Sequence, residues 1–128
     1  MVSQITQGIR VSVVTQFENA FTKNDVLHYA FSYQVTIENQ GKDTVQLIQR
    51  HWEIHDALNH VQVVDGEGVI GKKPVLHPGE SHTYKSGCLL NSPYGGMSGY
   101  YTMINFSSTR RFQTRIPSFP LLAGFALN

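Results

Sequence analysis

The sequence predicts an all-β fold, a sandwich of two packed antiparallel sheets, and three observations carry that prediction. No segment sustains a helical period, several short stretches alternate apolar with polar residues, and turn signals recur about every ten residues. At 128 residues, with no repeats, low-complexity tracts or linkers, the chain is expected to form one domain over 1–128. A chain of that length buries roughly two-thirds of the surface it exposes when unfolded.

The elements follow in order. Ile9, Val11 and Val13 alternate with Arg10, Ser12 and Val14, the period of a strand with one face inward. After the intervening FENAFTKND comes the clearest strand, with Tyr29, Phe31, Tyr33, Val35 and Ile37 on one face and His28, Ala30, Ser32, Gln34, Thr36 and Glu38 on the other. Large apolar side chains repeated on one face make a core wall, each contributing about 1.5–3 kcal/mol when buried. Asn39-Gln40-Gly41-Lys42 supplies a turn with a glycine for positive φ.

The next strand changes phase. Val45 and Leu47 share one parity, whereas Ile48, Trp52 and Ile54 share the other, so an unbroken strand would turn one set to water. A β-bulge between Leu47 and Arg50 restores both sets to one core. Trp52 then points inward, and His51, Glu53 and His55 outward. From Asp56 to Val64, Ala57, Leu58 and Val61 fall at helical spacing, but the stretch reads first as a turn followed by a strand.

Lys72-Lys73-Pro74 reads as a loop, His77-Pro78-Gly79-Glu80 as a type II turn, and Ser81 to Leu90 as a further strand. LNSPYGGMSGYYTMINF passes from a glycine-rich loop into a strand with Tyr100, Thr102, Ile104 and Phe106 on one side. Ser107 to Arg111 turns it into a last strand, Phe112 to Ile116, and Pro117 and Pro120 end regular pairing. The remaining LLAGFALN is apolar enough to pack back on the body.

Charge and cysteine usage exclude several function classes. Ten Lys plus Arg against nine Asp plus Glu leave a net charge of +1, too little to draw a nucleic acid or an acidic membrane surface. The single cysteine, Cys88, forms no disulfide within the chain, and MVSQITQGIR lacks the apolar run of a signal peptide. No window has the length of a membrane span. The expected setting is the reducing cytoplasm.

Three places compete as sites. Gly66, Gly68 and Gly71 form a G-x-G-x-x-G triplet whose backbone N–H groups, with Lys72 and Lys73 beside them, suit an anion nest for pyrophosphate. Pro74 and the lack of an amphipathic period leave no helix to complete a dinucleotide site, so the triplet also reads as a tight loop between strands. His51, Glu53 and His55 project from one strand face, neighbours about 6–7 Å apart, as metal ligands or as a solvated face. Third, Met97 and Tyr100 lie in a glycine-rich stretch suited to gripping a protein partner, or to filling the end of the core. An enzyme reading fares worse: Ser81, Ser86 and Cys88 lie near His82, but nothing orients a base onto a nucleophile. Asp65 and Glu67, which flank the glycine loop, read as solvated.

Together Arg50-His51-Trp52-x-Ile54-x-Asp56, Gly66-x-Gly68-Val69-Ile70-Gly71-x-x-Pro74-x-Leu76-x-Pro78-Gly79-Glu80, Tyr84-x-Ser86-Gly87 and Gly96-Met97-x-Gly99-x-Tyr101-x-Met103 resemble the bacterial ApaG family, also called DUF525. The likeness runs to Ile116-Pro117-x-Phe119-x-Leu121, with departures at Asn59, usually glycine, and Ile70, commonly valine. The resemblance implies an immunoglobulin or fibronectin type III-like sandwich in a cytoplasmic protein without catalytic activity. It further implies a link to cobalt resistance and magnesium efflux, and pyrophosphate binding at Gly66, Gly68 and Gly71. Related domains in an F-box protein and a polymerase-delta-interacting protein look like protein-interaction modules. The resulting expectation is a non-enzymatic binding protein without a cofactor, with a protein partner ahead of a divalent metal or a pyrophosphate-containing nucleotide. An exposed edge strand offers a route to a homodimer.

Overall fold

The computed structural model describes residues 1–124. Nine strands run through them: β1 (Val2–Thr6), β2 (Ile9–Lys23), β3 (Val26–Asn39), β4 (Val45–Asp56), β5 (Gln62–Glu67), β6 (Val75–Leu76), β7 (Ser81–Leu90), β8 (Tyr94–Asn105) and β9 (Arg111–Leu122). One sheet has the order β1-β2-β3-β7; the other runs β5-β4-β8-β9, with β6 also pairing β4. Every pairing is antiparallel, as the alternating patterns required. No helix among the described residues is long and apolar enough to cross a membrane.

The core lies between the sheets. From the first come Ile9, Val11 and Val13 of β2 and the full wall of β3, Tyr29, Phe31, Tyr33, Val35 and Ile37, all buried. From the second come Val45, Leu47 and Trp52 of β4, with Met97, Tyr101 and Met103 of β8. Trp52 is the hub, its ring 5.4 Å from Tyr33, 6.4 Å from Tyr101 and 6.0 Å from Phe119. The β4 bulge falls within the predicted interval: Leu47 pairs with Met103 and Gln49 with Thr102, so Ile48 is the extra residue. Asp56 to Val64 forms a turn and then β5, and Gly79, with φ 86°, turns the chain at 77–80, where Glu80 N–H donates to His77 O at 2.9 Å.

Four expectations need correction. Val2–Thr6, for which the sequence predicted no element, forms β1, joined to β2 through Gln7 and Gly8 at φ 49° and 79°, a turn that matches strand twist. FENAFT is not a connection but the second half of β2, which carries a bulge between Phe17 and Asn19 and turns at Asn24-Asp25. Pairing along β3 overrides the weak strand propensity of Glu18, Asn19 and Ala20. Nor does β9 stop at Ile116. It continues through Pro117 and Pro120 to Leu122, because an edge strand tolerates residues without N–H on its open side. Leu121 and Ala123 are buried as expected of the C-terminal stretch; Phe125 to Asn128 lie outside the described residues.

The fourth correction concerns Tyr94 to Gly99, which is strand rather than loop. Its inward face runs Gly95, Met97, Gly99, Tyr101, and the glycines stand where β4 comes closest. A Cβ on Gly99 would lie 2.0 Å from His51 O, and one on Gly95 2.3 Å from His55 O. Gly99 also pairs with Trp52, whose Cα would lie 3.2 Å from that Cβ. Met97 is 2 % exposed, with its sulfur 3.8 Å from Cys88 Sγ. It therefore fills the core and is not available to a partner.

Asp56, at the end of β4, ties the β4–β5 turn to the β7–β8 turn. Its carboxylate accepts from Asn91 N–H at 2.6 Å, Ser92 Oγ, Leu58 N–H at 3.4 Å and Asn59 Nδ2 at 3.1 Å. Partial burial raises its pKa, but these hydrogen bonds outweigh burial and hold the carboxyl below its ordinary 3.8. A depressed folded-state pKa contributes stability above the unfolded value that is lost as pH falls through the folded one. Asp56→Asn should therefore be less stable than the parent at neutral pH in urea unfolding, and the gap should close as pH drops below 3.8. Gly99→Ala should lose at least about 1–3 kcal/mol in the same assay, since backbone cannot yield to the new methyl group. Gly96→Ala, whose Cβ would sit 3.1 Å from Phe119 O, should lose less.

Candidate functional site

The two sides of the sandwich differ. At one, β1 meets β9: Arg115 N–H donates to Thr6 Oγ1 at 3.2 Å and Thr114 Oγ1 to Thr6 O at 3.5 Å. At the other, β7 and β5 are the edges of their sheets, and the seam between them opens into a cleft of about 260 Å³. Tyr33 of β3 and Tyr84 and Ser86 of β7 line its first wall, and Arg50 and Trp52 of β4 with Glu67, Val69, Ile70 and Gly71 line the second.

Arg50 reaches this cleft because of the bulge. Once Ile48 is looped out, Arg50 shares the inward phase of Trp52. Its Nη1 donates to Glu67 O and Gly68 O, each at 3.0 Å. The ion pairs among the described residues involve His51 and Lys73 and leave Arg50 without a carboxylate. Its positive charge acts on three phenols. Burial pushes Tyr33 up, against the nearby Ser86 hydroxyl and the Arg50 charge; burial likewise drives Tyr84 and Tyr101 well above the usual range. The Tyr84 and Tyr101 hydroxyls share a short hydrogen bond. All three phenols therefore stay protonated at neutral pH. Burial first, and then the Lys72 ammonium, hold His82 below its ordinary range.

The glycine triplet forms one lip of the cleft and is built by sterics. A Cβ on Gly66 would lie 2.6 Å from Arg50 Cζ, so glycine there leaves the guanidinium its path across β5. Gly68, at φ 62°, brings its Cα against the Lys72 carbonyl, where a Cβ would sit at 2.3 Å. Ile70 and Gly71, at φ 48° and 71°, form the corner between Val69 and Lys72, which bridge each other at 2.8 and 3.0 Å. Gly68 N–H donates to Ile48 O at 2.8 Å. The amides of Gly68, Val69 and Lys72 are thus engaged with carbonyls, so the expected anion nest is not formed by them. No helix follows Gly71; the next element is β6.

The outward row behaves differently from expectation. His51 is clamped by Asp65, at 2.6 Å from Nδ1, and by Glu53, at 3.5 Å from Nε2. Its ring stacks on Tyr100 at 4.5 Å and 13°. Tyr100 thus lies on the outer face of the second sheet rather than in a loop, beside a groove of about 340 Å³ that His51 and Asp65 also line. His55 is exposed and pairs across the strand with Gly96. Among the described residues no three His, Cys, Asp or Glu side chains gather closely enough to hold a metal ion, so His51, Glu53 and His55 do not converge as a ligand set. Burial and then the Asp56 charge push the Cys88 thiol up to about 11, away from the reactive thiolate form.

Sequence reasoning found the glycine lip with Lys72 but missed Arg50, Tyr33, Tyr84 and Ser86. One signal was legible. A bulge before Arg50 gives it the parity of Trp52, and a cation on the inward face of a strand is an anomaly.

A family model described as the ApaG domain matches residues 19–105. Among curated relatives, Protein ApaG of Methylobacterium sp. (strain 4-46) is 47% identical over 116 residues, covering 91% of this chain and 88% of that one. Protein ApaG of Rhodospirillum centenum is 43% identical over 121 residues, covering 94% and 92%. Among solved structures, the X-ray structure of structural-genomics target SoR45 is similar at a TM-score of 0.86 and 36% identity, covering 91% of this chain and 88% of that one. The putative ApaA protein of Bordetella pertussis is similar at 0.80 and 36% identity, covering 91% and 94%.

Because the atoms that a Gly66 methyl meets are the far end of a flexible side chain, Gly66→Ala should displace Arg50 without breaking the fold. Urea unfolding should show a loss below about 1 kcal/mol, while the guanidinium resonances of Arg50 should move in a nitrogen-15 spectrum.

Proposed function

This chain belongs to the ApaG domain family, and from that premise we propose that it is a non-catalytic binding protein whose recognition site is the cleft at the open seam, taking a small oxyanion such as pyrophosphate. The observation that carries the reading is the half-buried Arg50 guanidinium, which faces the cleft and makes no ion pair, since the Glu67 carboxylate that also lines the cleft pairs with Lys73 at 3.6 Å. The Glu67 and Gly68 carbonyls accept from its Nη1 but carry no opposite charge, and a guanidinium forks naturally onto a phosphoryl or carboxylate group. The Tyr33, Tyr84 and Ser86 hydroxyls beside it are neutral donors of the kind an oxyanion needs. Size limits the guest: about 260 Å³ lies below the roughly 300–1,000 Å³ of drug-sized ligand sites, which suits a phosphoryl group and not a whole dinucleotide.

The burial of Met97 removes one of the two side chains on which docking at the Met97 and Tyr100 stretch depended, and this favours the cleft over that stretch as the recognition site. A link to cobalt and magnesium follows without direct ligation. Pyrophosphate groups travel with divalent cations bound to their oxygens, so a protein that captures one is coupled to the cation pool. A cytoplasmic setting accords with such a ligand.

Pyrophosphate should raise the melting temperature of the protein, with a stabilisation of about 2.7 kcal/mol at a hundredfold excess over its dissociation constant. Arg50→Met should abolish the shift, and His51→Ala, on the opposite face of β4, should keep it. A full response in Arg50→Met would refute the reading.

A further inference from the structure

We propose that the outer edge of β7 accepts an extended segment of a partner protein as an added strand, and that one aspartate or glutamate of that segment enters the cleft and pairs with Arg50. This rests on the reading of the cleft as an oxyanion site and names the molecule that presents the anion.

β7 pairs with β3 from Ser81 opposite Glu38 to Leu90 opposite Tyr29, without a register shift. In the strand order it has no neighbour on its other side, so half its backbone donors and acceptors face outward along ten residues. Proteins normally blunt such an edge with bulges, prolines or a covering element. β9 carries Pro117 and Pro120 and is met by β1, and β5 spans only six residues. β7 has no proline and no bulge. It is the longest regular edge of the fold, and it borders the cleft directly.

Strand addition fixes where side chains go. Residues along an added strand alternate between faces, so every second one points into the seam that Tyr84 and Ser86 already face. The space there admits one side chain, and Arg50 gives the seam a positive character. Glu67 does not cancel it, because its carboxylate pairs with Lys73 at 3.6 Å. Lys85, on the outer side of β7, adds a second attraction for an acidic segment while discouraging self-pairing. Backbone bonds would supply affinity and the Arg50 pocket specificity, the division of labour seen where a peptide extends a sheet.

The probe is a synthetic peptide about seven residues long, capped at both ends, alternating threonine and valine around one central glutamate. Amide hydrogen exchange read by NMR should show alternate β7 amides slowed by about tenfold or more in the presence of this peptide. Its glutamine analogue, a version N-methylated on the pairing side, and N-acetylglutamate amide should not slow them, and Arg50→Met protein should show no protection. Unchanged β7 amides, equal protection by the glutamine peptide, or protection confined to β5 would each overturn the proposal. If pyrophosphate still stabilises the parent but not Arg50→Met while β7 stays unprotected, strand addition is wrong and the oxyanion site stands. If neither ligand acts, both fall.

Discussion

One residue out of register in β4 governs the molecule. Without Ile48 looped out, Val45 and Leu47 would face the core and Trp52 would face water, or the reverse. The indole is the largest side chain at the centre of the sandwich, touching Tyr33 from one sheet and Tyr101 and Phe119 from the other, so its inward position decides whether the sheets have anything to close upon. The same shift carries Arg50 inward two residues earlier. The Ile48 carbonyl then receives the Gly68 N–H, which sets the turn that forms the lip of the cleft. Core and site share one cause.

The backbone of β4 makes a second demand, on the strand beside it. The His51 and His55 carbonyls leave no space for a side chain where β8 passes closest, so β8 alternates Gly95, Met97, Gly99 and Tyr101 along its inward face. Large and small side chains then interlock across the pair, the packing that dense protein interiors require. Glycine here is a steric necessity in a regular strand, not a sign of mobility. Read without the partner strand, the same letters spell a loop.

That ambiguity explains what was legible in the sequence and what was not. β3 is legible because its period-2 pattern is local and unbroken, and the β4 bulge because two phases collide within a single strand. The turn at 77–80 is legible because proline and glycine each impose a dihedral angle. β1, the far half of β2 and the glycine-rich start of β8 are not, since their strand state is imposed by neighbours distant in sequence. The outward histidine row was legible only in part, for a related reason. Spacing put His51 and Glu53 on one face, but Asp65, which clamps His51 most closely, comes from a strand whose register the sequence does not specify. The cleft was half visible: its glycines lie together in the chain, while Tyr33, Arg50 and Tyr84 meet only after folding.

The polarity of the inward faces fits the binding proposed at the open seam. A sandwich selected for stability alone closes on both sides with apolar residues, and replacing buried polar or ionic groups by hydrophobic ones of similar volume is often neutral or stabilising. The β1–β9 side approaches that limit, with Ile9, Val11, Val13, Ile116 and Leu121 all buried. The β7 side instead carries His82, Tyr84, Ser86 and Cys88 inward, facing an arginine. The phenols and the thiol are pushed up and stay protonated at neutral pH, and the imidazole is held below its ordinary range. These groups form a fixed array of neutral donors around one permanent cation, the electrostatic arrangement that the proposed oxyanion binding requires.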